Sequence, residues 1–170
     1  MENQTQTSVK TVAYTFGVYL ALVSIVSQVI LYLLNQQSNL YVGLLSFVAG
    51  VAVYYFGIST YKKLNANQLR IRDGLKSGMS IAAIGGIITS IFTYIYYAYI
   101  NNEVLVKAKE VAIEQLNNQE PKLDGEGLEM AMKIMDMTTS PFFLATAGLI
   151  GGLLLGLIVS LIIGAILKSN

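Results

Sequence analysis

The stretch from Pro141 to Leu167 carries no charged residue. As a helix rising about 1.5 Å per residue it exceeds the roughly 30 Å hydrocarbon core of a bilayer. A chain that crosses lipid must satisfy its backbone polar groups internally, so such a stretch folds as a helix. Its small residues recur every four positions: Gly148, Gly152, Gly156, Ser160 and Gly164. In lipid, apolar surface alone does not draw helices together, whereas small residues let backbones approach closely. An earlier apolar stretch carries the same spacing at Gly74, Gly78, Ala82, Gly86 and Ser90. The two stripes predict that these helices pack on each other along a small-residue seam. Gly85 beside Gly86, and Gly151 beside Gly148, suggest a second small face on each.

Composition agrees with a membrane protein. Of 170 residues, 54% are hydrophobic and 12% charged, and mean hydropathy is +0.58. Soluble domains carry about 25% charged residues. Net charge is +1, so no basic excess points to nucleic acid. The chain has no Cys and no His, which removes thiolate chemistry, disulfides, the commonest general base and the commonest zinc ligand. It has no Trp, so interfacial belts fall to Tyr and Phe.

Four spans follow from the uncharged runs, at about residues 11–34, 40–61, 77–100 and 141–167. The polar stretch before Lys10 reads as frayed. The first run is longer than a signal-peptide core of about 7–15 residues and reads as a retained span. Ala13, Gly17 and Ala21 continue the four-residue rhythm, and Asn35–Asn39 is a short uncharged turn. Short connections make neighbouring helices antiparallel. The expected fold is all-α: one polytopic membrane domain of two antiparallel hairpins, with an extracytoplasmic helical insertion at 101–140.

That insertion holds eight acids and four Lys. Val104, Ala108, Val111 and Leu116 recur at helical spacing, and so do Leu128, Met132 and Met135. These two faces are expected to bury each other in a helical hairpin. With no Gly or Pro after Ile100, the third span is expected to run unbroken to about Asn118. Glu120-Pro121 and 124–127 carry turn chemistry. Ser140 and Pro141 stand as N-cap and first residue of the last span.

Basic residues mark the cytoplasmic side. With four spans, both ends and the middle loop share a side holding seven basic residues and two acids; the other side holds four and eight. The expectation is both termini cytoplasmic and 101–140 periplasmic. Lys62, Lys63, Arg70, Arg72 and Lys76 form the densest basic group. They serve to orient the chain and are the candidate contacts for anionic lipid.

No ionisable residue falls inside the uncharged runs, which counts against proton-coupled transport and intramembrane hydrolysis. Gln28, with Ser24 or Ser27, reads as helix–helix glue. Met130, Met132, Met135 and Met137 read as packing or partner docking rather than a copper site, since no His or Cys accompanies them. Asp124-Gly125-Glu126 lacks the ligand alternation of a calcium loop. No cofactor or metal is expected.

Tyr61-Lys62-Lys63, Gly74-Leu75-Lys76-Ser77-Gly78, Met130–Met135 ahead of Thr139-Ser140-Pro141, and Ser160–Lys168 together resemble a family of small four-helix bacterial inner-membrane proteins, typical of Bacteroidota, whose function is unknown. The resemblance covers nearly the whole chain, most specifically at Ser160–Lys168. Members often carry a Pro soon after the third span, which Asn101-Asn102-Glu103 lacks. The resemblance implies an inner-membrane location and no activity. The residues point to a non-catalytic protein whose partners are lipids and other inner-membrane proteins or further copies of itself. The alternative is a small oligomeric pore, with Ser24, Gln28, Ser46, Thr89, Ser90 and Thr93 supplying its polar lumen.

Overall fold

A computed structural model describes residues 2–36, 38–118 and 125–169. Six α-helices follow in chain order: α1 (Glu2–Leu33), α2 (Leu40–Leu64), α3 (Ile71–Ile95), α4 (Asn102–Asn118), α5 (Gly125–Thr138) and α6 (Pro141–Leu167). A π-helical turn, Tyr96–Ile100, extends α3. No strand occurs among the described residues. Four segments are long and apolar enough to cross a membrane: Val9–Leu33, Leu40–Leu64, Ile71–Ile100 and Pro141–Leu167.

The caps follow the residue chemistry. Asn39 accepts hydrogen bonds from the Tyr41 and Val42 amides at 2.9 and 3.2 Å and so starts α2. Ser140 Oγ accepts from the Phe143 amide at 3.2 Å, with Pro141 at the first helical position. Asn35, Ala66 and Asn67 have positive φ, which turns the chain after α1 and α2. Helices start earlier or end later than charge alone suggests. α1 begins at Glu2 instead of Thr11, because no Gly or Pro interrupts the polar lead. α2 includes Lys62 and Lys63, and α3 starts six residues before Ser77.

The unbroken third helix is not found. The Asn101 amide donates to the Tyr96 carbonyl at 2.8 Å, closing the wide π turn, and its side-chain amide donates to Tyr96 Oη at 2.7 Å. Asn101 itself leaves helical geometry, at φ −133° and ψ 54°. An Asn side chain that competes for local hydrogen bonds ends the helix without Pro or Gly, and α4 starts afresh at Asn102.

The chain folds as two compact units, one of Met1–Thr89 with Gly148–Asn170 and the other of Ser90–Ala147. In the first, a core of Val9, Val12, Tyr54, Ile58, Tyr61, Leu69, Ile81, Ala82, Val159 and Ile163 draws on all four apolar helices. In the second, Tyr96, Leu105, Met135 and Ala145 are the buried apolar residues. There α4 packs on α5, and Lys109 pairs with Asp136. Val111 does not face α5: it is 53% exposed, while Leu105 and Met135 are buried. The face that α4 buries lies about one position to the side of the one expected. Residues 119–124, which hold the expected turn at Glu120-Pro121, lie outside the described residues.

Candidate functional site

The seam between α3 and α6 forms, and it forms over part of its length. A Cβ on Gly74 would stand 2.9 Å from Gly164 Cα. A Cβ on Gly78 would fall on Ser160 Oγ, and one on Gly156 would stand 2.7 Å from the Ala82 Cβ. The three rungs, 74 with 164, 78 with 160 and 82 with 156, share one antiparallel register. Ser160 and Ser77 are fully buried, and neither hydroxyl has a hydrogen-bond partner among the described residues. The Ser160 oxygen takes the space that any side chain at Gly78 would need.

Beyond the third rung the pattern changes. The space over Gly86 is taken by Leu149 Cδ1 and not by Gly152. Gly148, Gly151 and Gly152 have nothing within 4 Å of a built Cβ, and all three are exposed. The expected five-rung seam is thus corrected to three. A four-residue step on an α-helix overshoots a full turn by about 40°, so Gly152 and Gly148 point about 80° and 120° away from Ser160.

The second small face on α3 is used by α1, a partner that the matched stripes did not reveal. A Cβ on Gly85 would stand 2.9 Å from the Gly17 carbonyl oxygen, and one on Gly17 would stand 2.7 Å from Ile84 Cβ. Ala13, Gly17 and Ala21 are all buried. The four-residue rhythm in α1 was the signal for this contact. Gly57 of α2 is enclosed by Ile81 and Phe16.

The end of the bundle that carries the basic residues is tied by hydrogen bonds. Ser169 donates its amide to the Leu69 carbonyl at 2.9 Å. Its hydroxyl accepts from the Leu69 amide at 3.1 Å and donates to the Asn67 carbonyl at 2.8 Å. Lys62 Nζ donates to the Leu167 carbonyl at 2.9 Å, satisfying an orphan acceptor at the end of α6. Of the five candidate lipid contacts, Lys62 is therefore committed to a helix end, while Lys63, Arg70, Arg72 and Lys76 are exposed.

At the other end, Ser27 and Ser46 join α1 to α2 through their hydroxyls. Gln28, expected as the glue, makes no hydrogen bond among the described residues. Among the methionines, Met135 is 6% exposed and is no docking residue; Met130, Met132 and Met137 are exposed. The described residues contain no group of three or more His, Cys, Asp or Glu placed to hold a metal ion.

Comparison with known proteins adds a family and nothing else. The family described as "Protein of unknown function (DUF4199)" matches residues 15–169. No curated protein and no solved structure matches the chain.

Proposed function

From a chain that belongs to the DUF4199 family, and so inherits no assigned activity, we propose a non-catalytic integral membrane protein that acts through protein–protein contacts, as an accessory or assembly subunit of a complex in the bacterial inner membrane. In this reading both termini are cytoplasmic, residues 101–140 are periplasmic, and Lys63, Arg70, Arg72 and Lys76 face acidic headgroups. One observation carries the proposal: Gly148, Gly151 and Gly152 leave backbone uncovered on a spanning helix. In lipid that surface gains more from another closely packed helix than from acyl chains. The pore reading has less support, because the Ser24 and Ser46 hydroxyls turn back onto the Leu20 and Val42 carbonyls.

The test is affinity purification in mild detergent with mass spectrometry, on the wild type and on Gly152→Leu. A stoichiometric foreign membrane subunit, lost in the variant, is the expected result. A clean homo-oligomer that moves ions or solutes in liposomes would replace this reading with the pore. Identical recovery from both chains would remove the glycine face from it.

A further inference from the structure

The second unit carries an apolar surface that its own packing does not use. On α5, Met130, Ile134 and Met137 are 67%, 51% and 57% exposed, and their i, i+4, i+7 spacing puts them on one stripe. Leu128, Ala131 and Met135 form the more buried side, and Glu126, Glu129, Lys133 and Asp136 occupy the remaining sector. The neighbouring helix shows the same division. Its acids and Lys107 share one sector, and Val111 stands exposed at the edge of that sector.

The two helices are antiparallel. Six residues separate Asn118 from Gly125, and the Lys109–Asp136 pair joins positions about equally far from that connection. Reversing one helix mirrors its angular order, at about 100° per residue. The Val111 side of α4 and the Met130–Ile134–Met137 side of α5 then fall on the same side of the hairpin, with the charged sectors turned away.

We infer that this side lies in the membrane–water interface, with Met130, Ile134 and Met137 against lipid. The observations that choose lipid concern how α5 is tethered. Only Thr139 and Ser140 separate it from Pro141, where the last apolar span begins. Ser140 Oγ donates to the Met137 carbonyl at 2.7 Å and accepts from the Phe143 amide, so the junction has no slack. At 27 residues, α6 is about 40 Å long against a core of about 30 Å, which leaves its first turn at the boundary. Phe142 there is 71% exposed, so an uncovered apolar side chain also stands at the start of the span that α5 leads into.

A straight extension of the third span would hold Val111 about 15 Å clear of the bilayer. The break at Asn101 removes that constraint. A hairpin with its apolar stripe on one side, its charged sectors on the other and its end anchored at the boundary has the form that lies in the interface.

The chain has no Trp and no Cys, so single probes report cleanly. Met130→Trp, Ile134→Trp and Met137→Trp, with Lys133→Trp as control, are reconstituted into phosphatidylcholine vesicles with and without brominated acyl chains. The first three should emit at shorter wavelength and be quenched several-fold more strongly by bromine than the control. Water-like emission at all four positions overturns the inference. Blue-shifted emission that bromine does not quench, and that changes with the protein-to-lipid ratio, also overturns it, because a second copy or another protein then covers the stripe. Should the bulky indole unfold the hairpin, as circular dichroism would show, spin-labelled Met130→Cys and Ile134→Cys replace it. Labels reached by oxygen and shielded from a water-soluble nickel chelate support lipid contact; the opposite preference overturns it.

Discussion

On α6, Gly156 and Gly164 lie against α3, while built Cβ atoms on Gly148, Gly151 and Gly152 meet nothing within 4 Å among the described residues. Both have the same residue types at the same spacing. Small residues therefore record a capacity for close approach, and the neighbour that uses it is fixed by helix geometry. A four-residue stripe winds about 40° per step, so a straight neighbour stays on it for only a few rungs. Where α3 leaves the stripe, Leu149 fills the space over Gly86 and the glycines beyond turn outward. The packed half holds the bundle together, and the open half is free for something outside it.

The largest expected effect separates these halves. Gly156→Leu places a side chain where Ala82 Cβ and Tyr54 Oη each stand 2.7 Å from a built Cβ. It should lower stability by about 3 kcal/mol in detergent thermal unfolding, at the upper end of overpacking costs. Gly152→Leu should change the same transition by less than about 0.5 kcal/mol, as surface substitutions do. Equal losses would mean that the open half is closed in the molecule in solution.

A second contrast lies in the other unit. Met135→Ser should cost about 2 kcal/mol through lost burial and raise hydrogen–deuterium exchange across 102–118 and 125–138. Met132→Ser, at a side chain 45% exposed, should leave exchange unchanged. If Met132→Ser loosens the helices as much, the packing of α5 on α4 is wrong.

The sequence showed those elements whose causes are local. Uncharged runs gave the four spans, Ser140 caps the last span as its chemistry suggests, and the packing of α3 on α6 followed from matched stripes. Features set by which side of a helix meets which neighbour were harder to read. Gly17 was visible as a small residue but not as the partner of Gly85. On α4, Val111 and Leu105 both fit a helical repeat, and only the contact with α5 separates the exposed one from the buried one. The break at Asn101 was hidden for another reason: Pro and Gly are the usual signals, and here Asn101 bonds to Tyr96 by both main chain and side chain. The open glycine face could be read as small residues; that it is open could not, because vacancy is a property of the neighbours.

The basic end of the bundle offers a smaller effect. Ser169→Ala removes a hydroxyl that bridges Asn67 and Leu69 and leaves the Leu69 amide without that acceptor. The loss should be about 1 kcal/mol, seen as faster exchange at the end of α6 and in the 65–70 connection. No change there would mean that Lys62 and the backbone pair hold this end unaided.

The smallest effect belongs to Ser27 and Ser46, which join α1 to α2 at the opposite end. Ser27 Oγ is also placed to donate to the Val23 carbonyl at 2.7 Å, and Ser46 Oγ to the Val42 carbonyl at 2.6 Å. Two hydroxyls have two protons for three contacts, so any bond between the helices displaces a bond within one. Ser46→Ala frees Ser27 to keep its own carbonyl, and nothing is stranded. Ser169 has no such fallback, since each of its bonds crosses to the α2–α3 connection. Membrane hydrogen bonds between helices average about 0.6 kcal/mol, and this internal competition places Ser46→Ala at or below that figure. Thermal unfolding in detergent, run beside Ser169→Ala, checks the order. A loss above about 2 kcal/mol for Ser46→Ala, beyond the range of such bonds, would show that this end is held as firmly as the basic one, and the contrast between a tied end and a loose one would fail.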